Sequence, residues 1–185
     1  MYFPAGSQSA HGGAQYLKQF RLMRRKSSDF TVNRGSSEVS WTPSWAVRSI
    51  VEDTSGSGIT YVPGTSDKGY TFPGAYFPIG RWVMVEVYHL LAPTNGIVRV
   101  WMDGALVGEV VRPTMMYSDD AVGWFYMGTY WNESASKKET HWYDQIAIAM
   151  DGPTKQGTLN DKQYLARDDY GNHFIGMATD HRSLR

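Results

Sequence analysis

The chain has 185 residues, 42% of them hydrophobic, which is the size of one domain with one substantial core. Lys+Arg 18 balances Asp+Glu 18 for a formal net charge of +0, against a protein that holds nucleic acid by neutralising phosphates. Cys 0 excludes disulfides, thiolate nucleophiles and thiolate metal sites.

Gly 19, Pro 8 and 14% aromatic residues combine strand formers with turn formers, so an all-β fold is expected. The N-terminus has neither the basic start nor the apolar run of a signal peptide, and no window is long and apolar enough to span a bilayer. The expectation is a chain kept soluble, or one whose leader has been removed, with no membrane insertion.

Residues 1–13 are small, polar and Gly/Ser-rich and read as an arm that docks on its own domain or on a neighbouring subunit. Residues 15–25 suit a strand, with Tyr16, Phe20 and Leu22 on one face and Leu17, Gln19, Arg21 and Met23 on the other. Its basic end, Arg24-Arg25-Lys26, reads as a solvated strand end. Short strands are expected at 37–41, 46–52 and 58–62, separated by Thr42-Pro43-Ser44 and by a Ser/Gly turn at 54–58.

Residues 66–80 carry Gly69, Pro73, Gly74, Pro78 and Gly80 among Tyr70, Phe72, Tyr76 and Phe77, and read as a long loop packed on the sandwich along a groove rim. Residues 81–91 form the next strand, with Val83, Val85 and Val87 on one face and Trp82, Met84 and Tyr88 on the other. Apolar faces on both sides predict a place in mid-sheet. Residues 97–102 and 105–111 make a hairpin around Asp103-Gly104, a pair that tolerates the positive φ of a two-residue turn.

Strands at 122–127 and 141–150 follow, then a tail in which Asn160 caps a short helix over 160–167 and Tyr170, Phe174, Ile175 and Met177 stand among polar residues. The organisation is therefore an N-terminal arm (1–14), a β-sandwich (15–150) and a C-terminal tail (151–185).

The run Pro78-Ile79-Gly80-Arg81-Trp82-Val83-Met84-Val85-Glu86-Val87-Tyr88, the loop at Asn95-Gly96 and the strand Val98-Arg99-Val100-Trp101-Met102 ending in Asp103-Gly104 resemble the concanavalin A-like superfamily. Tyr126-Met127-Gly128-Thr129 and the stretch from Tyr143 to Ile148 look like its closing strands. The resemblance implies a two-sheet antiparallel jelly roll, shared with laminin-G-like, pentraxin-like and polysaccharide-lyase-like modules, whose concave face often receives a sugar chain.

Alternation along the strand puts Val98, Val100 and Met102 in the core and Arg99 and Trp101 on the opposite face. If that face is the concave one, Trp101 is a stacking platform and Arg99 a donor to hydroxyls or carboxylates, with Tyr76 and Trp131 as neighbouring aromatics. The alternative is that the aromatic loop covers Trp101.

Catalytic signatures of the superfamily are missing from the sequence: there is no Gln-x-His or Arg-x-Glu strand, and Tyr16-Leu17-Lys18 has the third lyase spacing at the wrong end. No Glu-x-Asp-x-Glu run exists, and Glu86 stands alone on its strand. His89 and His141 have no ligand partner at a telling spacing, so no cofactor is expected. Calcium is a candidate without a motif, with Asp119, Asp120 or Asp144 as contributors.

Two functions fit these readings. The first is a non-catalytic surface or structural module, a virion decoration or fibre-type protein that fastens to other subunits through its arm and tail. The second is a carbohydrate-binding module, or a lyase-like domain of a secreted protein. The expected location is a virion or an extracellular surface.

Overall fold

The computed structural model describes residues 1–7, 17–52, 69–115, 117–130, 140–144, 146, 148–149 and 174–175. Among them there is no helix, and the chain forms an all-β sandwich of two antiparallel sheets. β1 (Leu17–Lys26), β2 (Asp29–Trp41), β3 (Ala46–Glu52) and β4 (Gly69–Tyr76) run as successive hairpins. β5 (Val85–Leu90), β6 (Gly96–Met102) and β7 (Ala105–Arg112) make a three-stranded sheet in that order. β8 (Asp120–Tyr130) returns to the first sheet beside β1, giving the order β4-β3-β2-β1-β8. The short β9 (Ile148–Ala149) and β10 (Phe174–Ile175) pair with each other. The strand expected at 58–62 and the helix expected at 160–167 lie outside the described residues.

The interior is built by alternation. Val39 and Trp41 on β2, Val47 on β3 and Val98, Val100 and Met102 on β6 are buried together, with Val85 and Val87 packed against them. His89 crosses the gap between the sheets, its Nδ1 lying 3.1 Å from Ser37 Oγ on β2. The two layers also interlock at Gly108 on β7, where an added Cβ would strike the ring of Phe72. The Asp103-Gly104 turn has φ values of 49° and 83°, the paired positive values expected of a tight hairpin.

Four sequence expectations are corrected. On β1 the register with both neighbours shifts between Lys18 and Phe20, so this bulge brings Leu17 and Phe20 to the core side together and breaks the simple alternation. The segment expected as an aromatic loop is strand β4, because Pro73 and Gly74 are absorbed by an irregularity opposite β3 in an edge strand, where Pro costs no ladder bond. The strand expected in mid-sheet is not: among the described residues β5 is the outer strand of its sheet, and only its Trp82 end is flanked further, by a bridge to Tyr2. Arg24 is fully buried against Asp120, not solvated.

The first residues complete the sandwich. Residues 1–3 lie between the segments around Trp82 and Trp142 and bond to both: Val83 N donates to Met1 O (2.8 Å), Gly80 N to Phe3 O (2.7 Å), and Tyr2 and Trp142 exchange bonds of 2.9 and 3.1 Å. The Met1 ammonium donates to Val83 O at 2.7 Å. Burial pulls its pKa below the usual α-amino value, while Asp103 and Asp144 pull it back up.

Strand alternation then turns Met1 and Phe3 inward and Tyr2 outward. Phe3 is fully buried against Trp45, Phe77 and His141, at centroid distances of 5.0, 4.9 and 4.5 Å. Phe3→Ala is expected to cost about 3–5 kcal/mol in a chemical-denaturation experiment, because no neighbour can collapse into a site walled by three rings.

Candidate functional site

The residues singled out from sequence do not converge. Arg99 and Trp101 are on β6 in the middle of the three-stranded sheet, whereas Tyr76 is at the end of β4, on the far edge of the other sheet. Trp131 lies outside the described residues. Val98, Val100 and Met102 do face the core. Trp101, however, is only 4% exposed, so its ring offers no open face to a sugar. Arg99 is paired with Glu109 on β7 and lies 6.0 Å from the ring of Tyr88 on β5, one cross-strand row of three side chains. Tyr76 is 59% exposed.

Two other arrangements are better defined. The first is the face of the five-stranded sheet turned away from the core. Since Val39 and Trp41 point inward, Glu38 and Ser40 point the other way, beside Lys18 and Arg21 of β1 and Glu52 of β3. Arg21 Nε lies 2.7 Å from Glu38, and Lys18 Nζ lies 3.7 Å from Glu38 and 3.4 Å from Glu52. Arg21 Nη2 donates to Ser36 Oγ at 3.3 Å.

Towards one end of the same sheet, Arg24 Nη1 lies 2.7 Å from Asp120, and Arg34 lies 3.7 Å from both Asp119 and Asp120. Asp119 and Asp120, offered above as calcium contributors, therefore already face guanidinium groups. Among the described residues no group of three or more His, Cys, Asp or Glu could hold a metal ion.

Lys18, Glu38 and Glu52 are all buried, so the cluster is two cations and two carboxylates that neutralise each other away from water. Burial pushes the Glu38 carboxyl up to about 7; Lys18 opposes the shift, Glu52 adds to it, and Arg21 opposes it. Across the core, burial pulls the His89 imidazole down to about 4. The arrangement can hold a proton on Glu38 near neutrality, and it rigidifies three adjacent strands. Sequence reasoning passed over these residues because each, alone on its strand, looks like an ordinary solvent-facing charge. The available signal was that β1, β2 and β3 all place a charge on the same face.

The second arrangement is aromatic. Trp82, Tyr2 and Trp142 are neighbours across three antiparallel segments, with Tyr2 in the centre. The Tyr2 ring lies 5.6 Å from that of Trp82, tilted 42°, and 5.4 Å from that of Trp142, tilted 64°. Trp82 is 42% and Trp142 45% exposed. The Arg81 guanidinium, 2.7 Å from Asp103, flanks the row. Trp82 and His141 were noticed in the sequence, but nothing there showed that Tyr2 would lie between their segments.

No family model, no curated protein and no solved structure matches the chain.

Glu38 and His89 give opposite pH dependences. Glu38 has its folded pKa raised from 4.5 to about 7, so its contribution to stability is present below pH 4.5 and is lost as pH rises through 7. His89 has its folded pKa lowered from 6.5 to about 4, so its contribution is present above pH 6.5 and is lost as pH falls through 4. Between these limits the wild type is expected to show a shallow net slope. Denaturant midpoints measured across the range should rise with pH in Glu38→Gln, where only the histidine slope remains, and fall with pH in His89→Gln.

Proposed function

We propose that the chain is a non-catalytic surface module that assembles with other protein subunits, in the manner of a decoration or fibre-type component of a particle or extracellular surface. The observation that carries this reading is the outer face of β8. Val122, Trp124 and Tyr126 occupy alternate positions on that strand and are all exposed, Trp124 by 48%. Among the described residues β8 is the outermost strand of its sheet, and such a strand invites pairing unless charge or cover blocks it.

The Arg25 guanidinium sits 4.1 Å from the Trp124 ring and its Nη1 donates to Thr31 O at 3.4 Å, which holds the cation over the ring. Exposed apolar side chains grouped along one strand are the kind of surface that marks an interaction site. The ionisable groups of the same sheet supply the complementary argument: Glu38 and Glu52 are held by Lys18 and Arg21 away from solvent, where they serve the fold and not an open reaction centre.

A second reading, a carbohydrate-binding module, is favoured by one specific feature, the row in which half-buried Tyr2 lies between exposed Trp82 and Trp142. Sedimentation velocity at micromolar concentration tests the first reading. The wild type is expected to self-associate, and Trp124→Glu to weaken that association by about tenfold or more while leaving the melting temperature unchanged. A wild type that stays monomeric, or association indifferent to Trp124→Glu, counts against assembly through β8.

A further inference from the structure

We infer that the face formed by Trp82, Tyr2 and Trp142 is a binding site for a neutral saccharide chain, an inference that rests on the second reading above and is independent of the β8 stripe. The site is built into the backbone. Because Met1 and Phe3 are committed to the core, strand alternation fixes Tyr2 on the outer face, and its pairing with Trp142 on one side and Trp82 on the other sets all three rings on that face. Ring spacings of 5.6 and 5.4 Å give successive apolar steps on the scale of successive sugar rings. Their tilts of 42° and 64° make a stepped surface, which suits a chain of rings that turns from one unit to the next better than a flat polycycle. Sugar C–H bonds, polarised positive, are attracted to the negative faces of such rings.

The rim decides the chemical class. Arg81 Nη1 donates to Trp82 O at 3.0 Å and pairs with Asp103 at 2.7 Å, and Asp103 Oδ1 accepts from Met84 N at 2.9 Å. Both side chains are exposed and are held in place by the backbone of Trp82 and Met84, with N–H groups and lone pairs left over for hydroxyls. Covering this pair with an apolar peptide would bury those leftover groups unpaired, whereas hydroxyls would satisfy them. Charge is balanced as well: Arg81 offsets Asp103, and Asp144 acts on the Met1 ammonium, so these described groups carry no net charge to select a charged ligand.

Native gels cast with soluble neutral polysaccharides (a β-glucan, xylan, mannan and galactan) and, separately, with alginate and polygalacturonate provide the test. At least one neutral gel is expected to retard the wild type. Trp82→Ala and Trp142→Ala should each weaken that retardation about tenfold or more, Trp82→Phe should retain most of it, and Trp124→Ala should leave it unchanged. Melting curves confirm that each variant is folded.

Retardation by none of the neutral polymers overturns the inference, as does retardation by the acidic ones alone. Retardation that survives Trp82→Ala also overturns it. So does loss of a wild-type oligomer, without any sugar effect, in Trp82→Ala or Trp142→Ala, which would assign the face to a second copy. Loss of association in Trp124→Glu bears only on the β8 stripe, so the two readings fail separately.

Discussion

One end of the sandwich depends on the backbone of residues 1–3 being hydrogen-bonded from both sides. An extended segment held in that way has no freedom to rotate its side chains, so one must face in and the next out. Phe3 is forced into a box of Trp45, Phe77 and His141, and Tyr2 is forced onto the surface between two tryptophans. The interior packing and the aromatic surface are therefore two sides of one constraint. Removing the inner ring would loosen the outer row through the backbone they share.

The other face of the five-stranded sheet shows a different economy. Burying Lys18, Arg21, Glu38 and Glu52 is costly, and the cost is contained only because each charge meets an opposite one on the adjacent strand. Such a lattice adds little net stability compared with apolar side chains of the same volume. It does penalise any slip in register, since moving β2 by one residue would turn Glu38 into the apolar core and Val39 towards Arg21. The charges thus serve to specify the pairing of three strands more than to strengthen it.

Much of the architecture was legible in the sequence where local chemistry and long-range packing agree. The Asp103-Gly104 turn and the valine alternation of β6 are examples, because turn geometry and burial both act within a few residues. β3 was legible to the residue for the same reason, lying between two clear turn signals. Legibility failed where a strand carries a bulge. The bulge beside Gln19 and the one at Pro73-Gly74 cannot be inferred without the neighbouring strand, and each reverses the facing of the residues beyond it. It also failed at the site: Trp101 was a plausible platform by alternation, yet it is buried, and burial depends on residues distant in the chain that no window of β6 encodes. The row around Tyr2 was invisible for a related reason, since its three members come from three distant stretches of chain.

That distance has a kinetic consequence. The bond from the Met1 ammonium to Val83 O spans 82 residues, and the bond from the Tyr143 hydroxyl to Gln19 spans 124. Contacts so remote repay their loop-closure entropy only after the hairpins between them exist, which puts the domain among slow, topology-limited folders on a scale of milliseconds to seconds. Until closure, the apolar edges that later receive residues 1–3 stand open, and a crowded solution of unfinished chains would be prone to exchange that segment between molecules.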